Sequence, residues 1–460
     1  MHAHTLDWDA IGKESLGLYK ALLALDTTNP PGNEVIATDL LTKSLADDGI
    51  EAWVVQSAPG RANLVARLKA NVAGSTKGPL LLAGHTDVVP ADASNWTHPP
   101  FSATEADGFV WGRGALDMKN MVAMSAMIMK IFARMDLPRD RDIIFAAVAD
   151  EEEGCTYGSK FLVEQHPERV QAEYMLGEVG GFWLHVGDRT YVPIQVAEKG
   201  QVHLRLRARG EAGHASMPHK GNSLVRLGDA IRRLGQTRLP HHLTPVMKRF
   251  IEELSATQPM PDRLALRGLM NPKLAGPILD HALPDKSVAR SFGALLHNTV
   301  SPTILHAGNK RNTIPGESVC DLDGRILPGW TEHDLVREVE RVVRPAGVEV
   351  ELVSAFRGVA LEQTESPLYS VITKTVERHA PDVQCIPYMV TGYTDAQHFS
   401  KLGTKCYGFS PLKITKEDDI VFSKLFHGVD ERVPVAGYLW GQRALFDVVA
   451  SFVSRTTSKR

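Results

Sequence analysis

The segment "LLLAGHTDVVP" (residues 80–90) joins a hydrophobic strand directly to a histidine and an aspartate. Its first four residues are apolar and show no polar alternation, which is typical of a strand buried on both faces of a parallel sheet. His85 and Asp87 then follow within three residues of Gly84. Ligands bind at the carboxyl ends of strands in such sheets. The segment therefore predicts an α/β fold with a functional site at the end of this strand.

Two further apolar strands end in acidic side chains. They are "DIIFAAVAD" (142–150) and "AEYMLG" (172–177). The acidic residues that follow them are Glu151, Glu152, Glu153 and Glu178. Because the carboxyl ends of parallel strands meet at one edge of a sheet, these carboxylates and His85 are predicted to share one site. Histidine and carboxylate are common metal ligands, so the site is a candidate metal centre.

The chain is predicted to contain two domains. Apolar strands alternate with amphipathic helices up to about residue 193, which favours a mostly parallel sheet covered by helices. From residue 194 the strands "QVHLRLRARG" (201–210) and "SVCDLDGRIL" (318–327) alternate strictly, as half-exposed strands do. We therefore expect an inserted, smaller α+β domain at 194–357, with the larger domain formed by 1–193 and 358–460. The stretch 240–300 is mostly helical and punctuated by prolines.

Composition indicates that the partner of this chain, which is long enough for an enzyme, is a small molecule or another protein. Lysine plus arginine (51) nearly balances aspartate plus glutamate (54), so neither nucleic acid nor a membrane surface is an expected partner. No stretch of about 18 apolar residues occurs, and the first residues lack the pattern of a signal peptide. The four cysteines form no CxxC pair, which suits reduced thiols. A soluble, cytoplasmic protein is expected.

Asp117 lies in "WGRGALDMKN" (111–120), just ahead of a predicted helix that begins near Met118. An isolated aspartate in this place is most often a helix N-cap, and a metal ligand is the alternative. The two glycines resemble the start of GxGxxG, but an aspartate replaces the third glycine, so a dinucleotide site is not expected. Methionines spaced by three in the helix predict a buried face.

Five motifs in fixed order resemble the co-catalytic zinc peptidases and amidohydrolases of the M20 group, which includes carboxypeptidase G, desuccinylases, acetylornithine deacetylase and aminoacylase-1. The motifs are "GHTDVVP", "WGRGALDMKN", "ADEEEG", "LGEVGG" and "FHGVDERV" (426–433), and they extend over nearly the whole chain. The resemblance implies two Zn²⁺ ions per chain, with Co²⁺ or Mn²⁺ as substitutes. It implies that Asp117 bridges them, that His85 and Glu178 complete one site, and that Glu152 and His427 complete the other.

Two more acidic residues receive roles. Asp87 is suited to hold the far ring nitrogen of His85, as a carboxylate commonly does behind a metal-bound histidine. The resemblance implies that Glu151 is not a ligand but the general base, which takes a proton from water and passes it to the leaving amine. Glu153, the third of the run, is expected to be a solvated charge.

The inserted domain supplies the other candidates. His214 lies in the glycine-flanked loop "GEAGHASMPHKG" (210–221), and the resemblance implies a histidine there that reaches the active site of the partner subunit in a homodimer. Asn312 and Arg325 resemble positions that hold the substrate carbonyl and carboxylate. Gly392 in "TGYTD" matches the family pattern, but Tyr393 stands where glycine is common. The shape of the substrate pocket therefore departs from that pattern.

We expect a dizinc metallohydrolase that cleaves an amide or peptide bond of a small substrate with a free carboxylate. The leading form is a dipeptidase or carboxypeptidase, and the alternative is an N-acyl-amino-acid deacylase with the same metal chemistry. A non-catalytic binding protein of the same fold is a remote third possibility, because ligands and base are all present.

Overall fold

The computed structural model describes residues 6–283, 286–359 and 366–454. These residues form two compact units. Unit 1 is drawn from residues 6–196, 366–386 and 394–454, and unit 2 from 197–283, 286–359 and 387–393. That residues 194–357 form an inserted domain through which two chains pair stays a prediction.

The strands are β1 (Ala52–Ala58), β2 (Arg61–Leu68), β3 (Leu80–His85), β4 (Thr104–Ala106), β5 (Phe109–Trp111), β6 (Ile143–Val148), β7 (Tyr174–Gly177), β8 (Leu184–Val186), β9 (Arg189–Glu198), β10 (Gly200–Arg209), β11 (Gly213–His214), β12 (Thr299–Ala307), β13 (Thr313–Ile314), β14 (Glu317–Ile326), β15 (Glu349–Phe356), β16 (Val383–Val390), β17 (Lys405–Gly408) and β18 (Arg432–Pro434). The α-helices are α1 (Trp8–Leu23), α2 (Val35–Ala46), α3 (Lys119–Arg134), α4 (Ser159–Gln165), α5 (Pro167–Val170), α6 (Ser223–Gln236), α7 (Pro245–Ala256), α8 (Asp262–Gly268), α9 (Pro272–Pro277), α10 (Lys286–Leu295), α11 (Glu332–Val343), α12 (Pro367–His379), α13 (Ala396–Phe399), α14 (Phe422–Leu425) and α15 (Val435–Val453).

The largest sheet has the strand order β1-β2-β6-β3-β7-β17-β9-β16 among the described residues, with β8 paired to β9. Its centre is parallel: β3 pairs in parallel with β6 and β7, and β17 pairs in parallel with β7. Antiparallel strands flank this centre, as β2 does on β6. β3 and β6 are buried along their whole length, as their apolar sequences predict. The predicted α/β class with a parallel central sheet is confirmed.

Helix α3 shows why an apolar helix belongs in this layer. All its residues from Lys119 to Phe132 are buried, including the methionines that the sequence predicts to face the interior. Met121, Met124 and Met127 are fully covered. The flexible methionine side chains fill irregular space well, so the helix can pack closely over the strands that carry the site.

Unit 2 contains a four-stranded antiparallel sheet of order β12-β14-β10-β15. In β10 and β14 buried residues alternate with more exposed ones, which confirms the predicted half-exposed strands. The buried side chains, such as Leu204, Leu206 and Leu322, form a core with residues of α6 and α11. Helices α7 to α10 and a short π-helix at Ile278–Ala282 occupy the stretch between α6 and β12.

Long apolar helices and disulfides are both missing from the described part of the chain. In residues 6–283, 286–359 and 366–454, no helix is both long enough and apolar enough to span a bilayer. The four cysteines, Cys155, Cys320, Cys385 and Cys406, are free thiols.

Candidate metal centre

His85 is the last residue of β3 and is completely buried. Its neighbour in register on β6 is Val148, so the segment after β6 begins beside it. That segment carries Glu151 and Glu152, and Glu178 directly follows β7 on the other side of β3. The parallel centre of the sheet thus brings three strand ends together, as the sequence predicts.

Asp117 lies between the two predicted histidine ligands. Its Oδ1 is 2.9 Å from Nε2 of His85, and its Oδ2 is 2.9 Å from Nε2 of His427. The N-cap of α3 is Met118, which makes no side-chain capping hydrogen bond. The default interpretation of Asp117 as a helix cap is therefore wrong, and its carboxylate instead contacts a histidine with each oxygen.

The remaining predicted ligands flank Asp117 on opposite sides. Oε2 of Glu152 is 3.1 Å from Nε2 of His427, and Oε2 of Glu178 is 3.7 Å from Nε2 of His85. The pairs His85 with Glu178 and His427 with Glu152 are the two pairs that the resemblance implies. Donor atoms of His85, Asp117 and Glu152 lie within 4.8 Å of one another.

Glu151 belongs to the same cluster. Its carboxylate lies within 4.8 Å of donor atoms of His85 and Glu178. The side chain is almost fully buried, whereas Glu153 is exposed, as expected for a solvated charge. Glu151 therefore stands where it can act as a base or as a ligand, and its neighbour Glu152 differs from it by contacting His427.

Asp87 is buried beside this cluster. The nearest contact of His85 Nδ1 is the backbone oxygen of Asp87 at 3.0 Å, with the carboxylate Oδ1 at 3.5 Å. The same carboxylate accepts hydrogen bonds from the backbone N–H groups of Glu151 (3.1 Å) and Glu152 (3.2 Å). Asp87 thus orients both the histidine ring and the turn that carries the two glutamates.

Burial and hydrogen bonding lower the pKa of one residue of the cluster and raise those of others. Burial alone would raise the pKa of Asp117, but hydrogen bonds from His427 and His85 outweigh it and hold this pKa well below its usual range. Hydrogen bonds to Asp117 and Glu152 raise the pKa of His427 to about 10. Burial would lower the pKa of His85, yet its carboxylate neighbours raise it well above the usual value.

The outer glutamates behave differently. Burial is the main cause that raises the pKa of Glu152 to about 7 and that of Glu178 to about 7. For Glu151, burial together with the charge of Glu178 raises the pKa well above the usual value. The cluster contains more carboxyl groups than its two histidines can balance, and a metal ion that bound there would compete with protons for these side chains.

The donor set fits a metal by a second observation. Oε1 of Glu152 and Oε1 of Glu178 are buried and accept no hydrogen bond from any described residue. Buried carboxylate oxygens without partners are costly unless a cation or donor compensates them. Imidazole nitrogens and carboxylate oxygens are ligands that zinc accepts, so the side chains present fit the metal that the resemblance implies.

Glu431 supports the cluster and was not predicted from the sequence. It is fully buried, and its Oε1 accepts hydrogen bonds from the backbone N–H groups of Leu116 (2.6 Å) and Asp117 (3.1 Å). Its Oε2 accepts from Gly114 N and from Arg113 at 2.7 Å. Glu431 lies four residues after His427 in "FHGVDERV", so proximity to a ligand in the sequence was the available signal.

A second group of unpredicted residues is buried on the other side of Asp87. It consists of Asn29, Glu34, Arg61 and Asp150, which are linked by hydrogen bonds and ion pairs. Asp150 immediately precedes Glu151, and this adjacency was the one signal in the sequence.

The other predicted residues lie in unit 2 and form two local groups. His214 is in β11, which pairs with β13, and Asn312 O accepts a hydrogen bond from Ala215 N at 3.0 Å, so His214 and Asn312 lie together at one exposed two-stranded sheet. Arg325 in β14 lies over the ring of Tyr393, which follows Gly392, with 5.7 Å between the guanidinium carbon and the ring centroid.

Arg325 already has an anionic partner. Its Nε is 2.7 Å from Asp323 Oδ1, and its terminal nitrogen is 3.0 Å from Oδ2. The bidentate contact fixes the plane of the guanidinium, so its remaining N–H groups keep a defined direction. This pair was not predicted from the sequence, although Asp323 is two residues away.

Residues 81–451 match the family model described as "Peptidase family M20/M25/M40". The chain belongs to this family. The predicted recognition of the M20 group is thereby confirmed, and with it the prediction of a metal-dependent hydrolase: M20 proteins are peptidases and amidohydrolases, so the chain is an enzyme.

The alignments of this M20 enzyme with its relatives cover most of its length. It is 30% identical over 384 residues to human "N-fatty-acyl-amino acid synthase/hydrolase PM20D1", which covers 81% of this chain and 73% of the relative. It is 27% identical over 376 residues to "Probable carboxypeptidase S-like 2" of Dictyostelium discoideum, covering 78% and 69%. The crystal structure of the M20 family metallo-carboxypeptidase Sso-CP2 from Sulfolobus solfataricus superposes with a TM-score of 0.69 at 16% identity, covering 95% and 99% of the two chains. This last similarity shows a shared fold.

Proposed function

We propose that this enzyme hydrolyses the amide bond of N-acyl amino acids, releasing an amino acid and a carboxylic acid. The observation that carries the proposal is the cluster of His85, Asp117, Glu152, Glu178 and His427 with Glu151 beside it. The substrate class is supported by the relative at 30% identity, whose name states that it acts on N-fatty-acyl amino acids.

The five side chains would hold two zinc ions, with Asp117 shared between them. This arrangement is supported by the contact of each Asp117 oxygen with a different histidine. Bound there, two zinc ions would polarise the scissile carbonyl and lower the pKa of an attacking water. The same imidazole and carboxylate donors would also accept cobalt or manganese, and ligand type and metal availability decide which metal is bound.

Glu151 acts as the general base. It accepts the proton of the attacking water and delivers it to the leaving nitrogen, so that the amine departs neutral. Glu151 is almost fully buried, and its carboxylate lies within 4.8 Å of donor atoms of His85 and Glu178, beside the place where the water would be held. Asp87 holds the backbone of Glu151 in place through the hydrogen bond to its N–H.

Unit 2 contributes substrate recognition. Arg325 binds the free carboxylate of the substrate, and the Gly392 loop borders it. Asn312, which lies beside His214, contributes to substrate recognition together with that histidine. The support for Arg325 is the oriented guanidinium, which matches the geometry of a carboxylate.

His214 serves the metal centre of a second copy, in a homodimer formed by unit 2. The backbone N–H of Ser216 donates to its Nδ1 at 3.3 Å, which leaves the proton of the neutral ring on Nε2. This Nε2–H is then the donor that an oxyanion needs. The free thiols of the chain suit a reducing compartment, and we extend the proposal to a cytoplasmic location.

A dipeptide is the second candidate substrate. The carboxypeptidase S-like relative at 27% identity favours it, and the chemistry of the site is the same for both. The two substrates differ in the group on the acyl side of the bond, which is a fatty or short acyl chain in one and an aminoacyl group in the other.

The test combines metal analysis with a substrate panel. Purified protein should bind two equivalents of zinc per chain, and one tight equivalent or none would contradict the dizinc centre. The metal-loaded protein is then assayed with N-acetyl, N-lauroyl and N-oleoyl amino acids and with dipeptides of matched C-terminal residue. Faster hydrolysis of the acylated amino acids is expected. Preference for dipeptides would favour the second candidate, and no turnover on either set would refute both.

A further inference from the structure

Asp150 is the centre of a buried polar network that none of the proposed chemical roles uses. It is 2% exposed and follows β6, directly before Glu151. Its backbone φ is 67°, in the left-handed region that non-glycine residues rarely adopt. A conformation of this kind persists when its surroundings hold it, so the contacts of Asp150 show what holds the turn.

Both carboxylate oxygens of Asp150 are occupied. Oδ1 accepts from Asn29 at 3.0 Å and from Arg61 at 2.9 Å, and Oδ2 accepts from the backbone N–H of Tyr157 at 2.9 Å. The last bond closes the loop 150–157 on itself. Hydrogen bonds to a buried charged group are the strongest in proteins, so this carboxylate defines the loop geometry.

Arg61 is itself held by a second carboxylate, that of Glu34. Its guanidinium makes two hydrogen bonds of 2.7 Å to the two oxygens of Glu34, which is fully buried. One positive side chain therefore joins two buried carboxylates that belong to different segments. Because Nε and Nη2 both donate to Glu34 and Nη2 also donates to Asp150, the planar guanidinium is oriented towards Asp150.

Asn29 connects the network to the metal centre. The same side-chain nitrogen that donates to Asp150 also donates to Oδ2 of Asp87 at 2.9 Å. Asp87 accepts the N–H groups of Glu151 and Glu152. The turn that carries both glutamates is thus held at Asp150 by its own side chain and at the next two peptides by Asp87.

We propose that Asp150, anchored by Arg61 and Asn29, is a positioning residue that sets the direction of Glu151 for proton transfer. Its carboxylate accepts hydrogen bonds from Asn29, Arg61 and Tyr157, and it acts through the backbone of the residue that follows it. The proposal rests on the role proposed for Glu151. A displacement of about 1 Å at a reacting group can lower a rate by about 100-fold, which is the scale of effect at stake.

The test variant is Asp150→Asn. Asparagine tolerates a left-handed φ, so the backbone strain is unchanged. Its amide cannot accept at both positions, so either the Tyr157 N–H or the donors of Arg61 and Asn29 face another donor. Glu153→Gln is the matched control, because it makes the same chemical change on an exposed residue of the same loop.

Two measurements are made. Hydrogen exchange of the metal-free protein, followed by mass spectrometry, should show residues 150–158 exchanging at least about tenfold faster in Asp150→Asn, because one of the side-chain contacts that hold the loop is lost. For the metal-loaded protein, kcat per folded chain should fall about 100-fold while KM and metal content stay close to wild type. Glu153→Gln should match wild type in both.

A purely structural role predicts a lower unfolding temperature with unchanged kcat per folded chain, and that result would overturn the proposal. Unchanged exchange in 150–158 would overturn it independently of any assay of turnover, whatever the substrate proves to be. If Asp150→Asn does not fold, Arg61→Lys replaces it: lysine keeps the charge beside Glu34 but cannot bridge to Asp150. The same faster exchange and lower kcat are expected, and wild-type values in this variant contradict the proposal.

Discussion

Asp117 in unit 1 and His214 in unit 2 are both predicted to serve one reaction, but their surroundings are opposite. Asp117 is buried, and its two oxygens contact two histidines of its own chain. His214 is exposed in a short two-stranded sheet and bonds to Ser216, two residues on. A buried charge must find its partners within the fold, whereas an exposed group is free to meet a substrate or another copy.

This difference affects what mutations should reveal. Around Asp117, each side chain is held by several others. Removing a proposed ligand should therefore release metal, whereas removing the proposed base should leave the ligands in place and the metal bound. In unit 2, the candidate residues contribute to a surface, so their effects should depend on the substrate or on a second chain. The following experiments test that contrast, beginning with the largest expected effect.

Replacing Glu151 by glutamine should lower kcat by about 100- to 10,000-fold, the range for a lost general base, with metal content nearly unchanged. Glu152→Gln should instead lose metal, because the Glu152 carboxylate contacts His427 at 3.1 Å. Steady-state kinetics and zinc analysis on both variants measure this. If Glu151→Gln lost metal and Glu152→Gln kept it, base and ligand would have to be exchanged.

The second experiment asks whether His214 acts in a partner chain. His214→Ala should lower kcat by about 100- to 1,000-fold, as the loss of an oxyanion donor does. Mixing this variant with Glu151→Gln under conditions of subunit exchange should restore activity, because each mixed dimer contains one site with both groups intact. Exchange is verified with differently tagged chains.

Activity that stays at the mutant level after verified exchange would place the action of His214 within its own chain. A monomer at assay concentration would contradict the dimer itself. Mixing two preparations of Glu151→Gln with different tags serves as the control, and it should restore nothing.

Arg325→Ala should lower kcat/KM for substrates with a free α-carboxylate by about 100-fold. This corresponds to a loss of about 3 kcal/mol of binding free energy, as expected for a lost charge-assisted pair. Amidated analogues should change little. Asp323→Asn is compared with it, since it keeps the guanidinium but removes the carboxylate that orients it, and it should reduce the preference for acid substrates by less than Arg325→Ala does. Equal losses for acid and amide substrates would make Arg325 a structural residue of β14.

The smallest expected effect concerns how the folding stability of unit 2 depends on pH. Burial lowers the pKa of His297 to about 4. The folded protein therefore binds fewer protons than the unfolded chain between this value and the usual pKa of histidine, so stability is complete above about pH 6.5 and falls towards pH 4. Between pH 7 and pH 5, His297 should lower the free energy of unfolding by about 2 kcal/mol.

His297→Gln should remove this part of the pH dependence, which urea unfolding at the two pH values measures. His333→Gln is the control, because the His333 side chain is 69% exposed. An equal stability difference between pH 7 and pH 5 in wild type and His297→Gln would show that burial of this ring does not affect folding.

Part of the metal centre could be predicted from the sequence because its signals are local. An apolar strand that ends in His85, and two more that end in glutamates, place ligand types at one edge of a parallel sheet whatever the rest of the chain does. The half-exposed strands of unit 2 were equally predictable, since alternation follows from the two-residue period of a strand. Residue identity and period were sufficient for both.

The tertiary structure alone decided which groups support those ligands. Asp117 meets His427 across 310 positions, Glu431 holds the peptide of Asp117 across 314, and Asn29 reaches Asp150 across 121. Only their positions near a ligand or the base in the sequence point to Glu431 and Asp150, and nothing local marks Asn29, because a buried carboxylate or amide is selected by the donors that the fold brings to it. The sequence by itself determined the strand ends and the chemistry available there, and the folded chain determined how that chemistry is held.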